Sequence, residues 1–116
     1  MQNDFEQEKI EDITIIKINV PDATLKHAAN FKKFMMRLIE SESKKVVVNC
    51  ENISYMDSTF LGSLVFSLKK MATVGGHLKL ILGNVDSPVW TMFETTRMFR
   101  VFKTYPDRET ALQSFE

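Results

Sequence analysis

Cysteine is nearly absent. Cys50 is the single one in 116 residues, so no intramolecular disulfide can form. One cysteine also falls well short of the three or four Cys/His ligands a zinc site takes from the protein. A lone thiol suits a reducing cytosol. Net charge is missing too, since 15 Lys+Arg balance 15 Asp+Glu. Phosphate affinity needs clustered cations, so the balance excludes a generally basic nucleic-acid binder and leaves room for a local patch. Apolar runs stop at three or four residues, far below the ~20 that a spanning helix requires. The N-terminal Met1-Gln2-Asn3-Asp4-Phe5-Glu6 has neither a basic start nor an apolar stretch, and so does not read as a signal peptide. No repeat, linker or low-complexity segment interrupts the chain. What remains is 44% hydrophobic and 26% charged, the mix of a soluble globule. The expectation is one cytoplasmic domain over 1–116, burying roughly two-thirds of the surface its unfolded chain would expose.

The periodicity of the chain switches repeatedly. Phe5–Ile10 alternates weakly, and Ile13–Val20 is β-branched with a period near two. Glu11-Asp12 between them predicts a hairpin, closed by Pro21, which cannot donate to a ladder. Ala28, Phe31, Phe34, Met35, Leu38 and Ile39 then recur at three and four, predicting an amphipathic helix over His27–Glu42. Lys45–Cys50 is a strand-length apolar run of the kind covered on both faces. Leu61, Leu64, Val65, Leu68 and Met71 or Ala72 form the stripe of a second helix, ended by Gly75-Gly76. His77–Leu82 is the next strand. Ser87-Pro88 starts a helix with a cap and an N1 proline. Val101–Thr104 reads as a last short strand, and Asp107 caps a terminal helix burying Ala111, Leu112 and Phe115. The order β-β-α-β-α-β-α-β-α predicts an α/β fold, a central mixed sheet with about four helices.

Packing explains most of this chain, but not Tyr55-Met56-Asp57-Ser58-Thr59-Phe60-Leu61-Gly62. That segment joins a buried strand to a helix, at the edge where open α/β sheets place their sites. Asp57 and Ser58 are favoured caps, each worth about 1 kcal/mol. Free N–H groups there would also tolerate a phosphate on Ser58, whose charge of about −1.5 to −2 would repel a partner packed on this surface.

The run from Val46 through Asn49-Cys50-Glu51-Asn52-Ile53-Ser54-Tyr55-Met56-Asp57-Ser58-Thr59-Phe60-Leu61 to Gly62 resembles the signature of STAS domains, the bacterial anti-sigma-factor antagonist family. In that pattern a buried strand leads through a short loop into Asp-Ser-Ser/Ala-Gly-Leu-Gly. The resemblance continues through Gly75-Gly76, Pro88 and Asp107, and spans about Ile13 to Phe115. It implies a regulatory phosphoprotein in transcriptional signal transduction, with no catalysis and no cofactor of its own. Such antagonists bind an anti-sigma factor that is also a serine kinase of the histidine-kinase-like ATPase fold, and so release a sigma factor. Phosphorylation of the first motif serine, here Ser58 with Thr59 as runner-up, ends binding, and a metal-dependent serine phosphatase resets it. Asp57 orders the loop. Asp22 is the residue retained from the family's other partner-facing loop. Asn49 stands where an acid is common, and Phe60 where the pattern has glycine.

Phe60 reads either as the start of an exposed face continuing through Ser63, Ser67 and Lys70, or as a ring tucked against the adjacent loop. On the first reading Phe60 and Ser63 are expected partner contacts, and the resemblance implies Asp22, Asp57 and Thr59 beside them. An unphosphorylated STAS docking subunit of a signalling or transport assembly is the alternative. A hydrolase using Ser58 would need a base within reach, and His27 and His77 are the available imidazoles. Gly75-Gly76 follows a helix rather than preceding one, which is the wrong order for a phosphate loop. Cys50 reads as a small buried hydrophobe. Lys32-Lys33 and Lys69-Lys70 read as solvated faces.

Overall fold

A computed structural model describes residues 3–116, so Met1 and Gln2 of the N-terminal segment lie outside the described residues. β1 (Phe5–Ile10) and β2 (Ile13–Ile18) form the expected antiparallel hairpin, with Ile10 opposite Ile13. The chain then crosses over twice through helices. The strands β4 (Lys45–Asn49) and β6 (His77–Ile81) lie parallel to β2, with Ile15 beside Val47 and Val47 beside Lys79. Their connections are α1 (Leu25–Glu40) and α2 (Ser58–Thr73). Beyond them come α3 (Pro88–Thr95), β7 (Thr104–Tyr105) and α4 (Arg108–Gln113). The five-stranded sheet runs β1-β2-β4-β6-β7 and is mixed. Two further strands, β3 (Asp22–Ala23) and β5 (Tyr55–Met56), pair with each other in a separate parallel ribbon.

Alternation along the strands divides the core. Ile16, Ile18, Val46, Val48, Leu78 and Leu80 face α1 and α2, packing with Phe31, Met35, Phe60 and Leu64. Ile13, Ile15, Val47 and Ile81 face the opposite way, under Ala111 of α4. Buried Lys79 serves this second layer. Its Nζ donates to the Ser114 carbonyl (3.1 Å) and hydroxyl (2.8 Å), and lies 4.0 Å from the centre of the Phe115 ring.

The strand expected at Val101–Thr104 forms later, at Thr104–Tyr105 beside Leu80 and Ile81. Before it, Met98–Arg100 is a 3-10 turn introduced by Arg97 in the left-handed region. Phe102 is driven into the core against Phe93 (centroids 5.9 Å apart). That anchor sets the register, and Val101 is left exposed. The helix expected from His27 starts two residues earlier, because Thr24 caps it: its Oγ1 accepts from the Lys26 N–H (3.3 Å).

Candidate functional site

The two connections that enter α1 and α2 are lashed together. The Pro21 carbonyl accepts from the N–H groups of both Ser54 (2.7 Å) and Tyr55 (3.1 Å), and the Ala23 carbonyl accepts from Asp57 N–H (3.0 Å). The β3–β5 ribbon therefore places the first turns of both helices side by side, at the carboxyl edge of the parallel strands. Ala23, Ile53 and Met56 are buried beneath it.

Asp57 completes the junction. Oδ1 accepts from Phe60 N–H (2.8 Å) and caps α2, while Oδ2 accepts from Leu25 N–H (2.8 Å) in the first turn of α1. The carboxylate is half-buried and neutralises part of the positive end of both helices. Ser58 and Thr59 follow as the first two residues of α2, and both are exposed. Ser58 thus presents its hydroxyl to solvent at a helix N-terminus, where a dianion is electrostatically tolerable. Asp22 is also exposed, in register with Tyr55 across the ribbon.

Phe60 and Ser63 do not lie on an exposed face, which corrects the expectation of direct partner contacts from them. Both are 0% exposed, and Ser67 is buried beside them. The Phe60 ring packs on Phe31 of α1 at 5.1 Å between centroids. Ser63 Oγ donates to the Phe60 carbonyl and Ser67 Oγ to the Ser63 carbonyl. Serine that bonds back to its own helix loses its need for water, so polarity was a poor guide to which side faces out. The buried arc of α2 runs through Phe60, Leu61, Ser63, Leu64, Ser67 and Met71, whereas Val65 and Leu68 are only half-buried and Ala72 is exposed.

Two residues that the sequence pattern passed over flank Ser58 instead. Leu25 is 67% exposed and Tyr55 52% exposed. Leu25 is tied to Asp57 through its N–H, and Tyr55 lies in the strand leading into the loop. Large apolar side chains left in water around a small polar centre fit protein contact. The signal available in the sequence was weak: Leu25 precedes the periodic stripe of α1, and Tyr55 sat in a segment read as connection.

The other chemical candidates lie elsewhere. His27 Nδ1 accepts from Thr24 N–H (3.5 Å) at the start of α1, and exposed His77 opens β6 at the opposite edge of the sheet from Ser58. Cys50 is 1% exposed, and burial pushes its thiol up to about 12. Among the described residues, no group of three or more His, Cys, Asp or Glu is arranged to hold a metal, and no helix is long and apolar enough to cross a membrane.

A family model described as STAS domain matches residues 4–111. A Thermotoga neapolitana protein described as a candidate anti-sigma factor antagonist is 26% identical over 113 residues, covering 97% of each chain. The crystal structure of a candidate anti-sigma factor antagonist from Thermotoga maritima superposes with a TM-score of 0.85 at 22% identity, over 95% of this chain and 92% of that one. The phosphorylated form of the Bacillus cell fate determinant SpoIIAA gives 0.70 at 16% identity, over 97% and 99%. At such identities the structural likeness speaks to the fold.

Proposed function

This chain belongs to the STAS domain family, and from that premise we propose that it is an anti-sigma-factor antagonist switched by phosphorylation of Ser58. The observation that carries this reading is the exposed Ser58 at the N-terminus of α2, with Asp57 holding the loop from behind. The partner is an anti-sigma factor that is also a serine kinase of the histidine-kinase-like ATPase fold. A serine phosphatase reverses the modification. Nucleotide and metal belong to those enzymes, and the antagonist works in the bacterial cytoplasm without catalysis of its own. Leu25, Tyr55, Asp22 and Thr59 surround the acceptor as the contact surface. Phe60 and Ser63 act from inside, by fixing how α2 meets α1.

A phosphate on Ser58 adds about −1.5 to −2 charges at the centre of this surface. Burying that dianion against a partner without a matching cation is costly, so dissociation follows modification. The test is incubation with the purified serine kinase and ATP, followed by mass-spectrometric location of the phosphate. Modification of Ser58 is expected, with Ser58→Ala silent. Ser58→Asp is expected to weaken kinase binding about tenfold or more (about 1.4 kcal/mol per decade) with an unchanged circular dichroism spectrum. Phosphate found elsewhere, or none, would overturn the switch and favour an unphosphorylated docking role.

A further inference from the structure

We propose that the free edge of β1 takes up an extended acidic segment of a second partner protein as an added strand. The surface is separate from Ser58: that residue begins α2, which crosses from β4 to β6, and β1 lies two strands away from β4. Among the described residues nothing pairs with the outer edge of β1. Its backbone groups divide by parity. One step beyond the Phe5–Ile18 pair, the Asp4 carbonyl accepts from Asn19 N–H (2.8 Å). Glu6, Glu8 and Ile10 continue that bonded set, so the N–H and C=O groups of Phe5, Gln7 and Lys9 point away from β2. Natural edges are blunted by shortness, proline, a bulge, a cover or charge. β1 runs six residues in unbroken register without proline, and Glu6, Gln7, Glu8 and Lys9 are exposed. Charge is the one guard it has, and that guard selects partners by sign.

A cleft of about 340 Å³ lies beside this edge, lined by Gln7, Phe34, Arg37, Leu38 and Ser41. Phe5 packs on Phe31 and Phe34 of α1, so Phe5, Gln7 and Lys9 turn their side chains to the α1 face. A strand added about 4.8 Å beyond β1 would drop alternate side chains into the cleft. Arg37 is the one charged residue lining it, and among the described residues no carboxylate lies within ion-pair reach of it. Lys9 adds a charge of the same sign on the same face. The acids of the other face are already matched, Glu6 opposite Lys17 and Glu8 by Arg108. The unmatched charge at the edge is therefore positive. It selects a segment with an apolar residue for the cleft, flanked by carboxylates. A second copy of this chain is not that occupant. Two-fold antiparallel pairing centred on Glu6, Gln7 or Glu8 sets glutamate against glutamate, which is destabilising.

The probe is a labelled peptide, Thr-Glu-Thr-Leu-Thr-Glu-Thr, which reads the same in both directions, with Thr-Lys-Thr-Leu-Thr-Lys-Thr as its counterpart. Binding is read by fluorescence polarisation and located by amide hydrogen exchange. The glutamate peptide is expected to bind about tenfold or more tighter than the lysine peptide. It is also expected to slow exchange at Gln7 and Lys9, whereas Glu6 and Glu8 are already protected by β2. Gln7→Pro removes an outward N–H and no bond to β2, so it is expected to weaken binding about tenfold with the fold retained. Arg37→Glu, at an exposed site on α1, is expected to reverse the peptide preference, and it decides the matter if Gln7→Pro does not fold. No saturable binding up to about 1 mM overturns the proposal. So do equal binding of the two peptides, an unchanged preference in Arg37→Glu, or protection that arises elsewhere. A wild-type dimer in sedimentation that Gln7→Pro abolishes overturns it too, by giving the edge to a second copy. The assay contains no kinase, so its result is independent of the Ser58 switch.

Discussion

Each oxygen of the Asp57 carboxylate takes a backbone N–H from a different helix, Phe60 in α2 and Leu25 in α1, both at 2.8 Å. The two bonds separate cleanly by substitution. An asparagine side chain would keep one oxygen for the Phe60 cap, and its NH₂ group cannot accept from Leu25. Asp57→Asn is expected to lower stability by about 1 kcal/mol and Asp57→Ala by about 2 kcal/mol, measured as shifts in urea midpoint at constant m-value. An Asp57→Asn variant as stable as wild type would show the link to α1 to be energetically silent. The cap was legible in the sequence, because Asp before an apolar stripe at a strand-to-helix connection has a local cause. The link to Leu25 was not, because 32 residues separate donor from acceptor. Phe60 failed for the same reason: its partner Phe31 lies in another helix, and a local helical wheel has no means of registering that α2 is enclosed by α1 as well as by the sheet.

The short helix α4 is tied to β1 by an ion pair. Arg108 donates to both oxygens of Glu8 on β1 (2.8 and 2.7 Å), and Asp107 caps the helix by accepting from Thr110 N–H (2.8 Å). The hydrogen bonds from Arg108 hold the Glu8 carboxyl below its ordinary value, and those from Thr110 do the same for Asp107. A carboxyl with a depressed folded pKa contributes its full stabilisation above its unfolded value. It loses that contribution as pH falls through the folded pKa. Both groups are exposed, so the effect is local and screened by salt. Amide exchange in α4 is therefore expected to accelerate as pH drops from about 5 to about 3, beyond the change in intrinsic chemistry, while α1 keeps its protection. Equal loss of protection in both helices would mean that α4 is held by Lys79, Ala111 and Phe115 alone. At this scale periodicity had served well. The hairpin, the two central strands and all four helices have their causes within a dozen residues. The β3–β5 ribbon was invisible, because two-residue strands carry no period and exist only through pairing across the chain.

In the molecule as a whole, the proposed switch has to act on binding while leaving folding alone, and Cys50 offers a way to tell these apart. The thiol is 1% exposed inside the larger core cluster, and burial pushes it up to about 12. It is inert towards disulfide reagents until the core opens. When opening and closing are fast relative to the reagent, its labelling rate reads the stability of the whole domain. For an ordinary domain this places native labelling about 10³-fold or more below that of unfolded chain. A phosphate on Ser58 sits outside that core. The α2 N-terminus favours it by roughly 0.3–1 kcal/mol, and the Asp57 charge beside it opposes the gain. The net change in stability should stay within about 1 kcal/mol, so labelling of Cys50 is expected to change less than about fivefold on phosphorylation. Binding to the kinase is expected to change tenfold or more at the same time. A hundredfold acceleration of labelling would reverse the argument, because phosphate would then release the partner by loosening the surface it recognises.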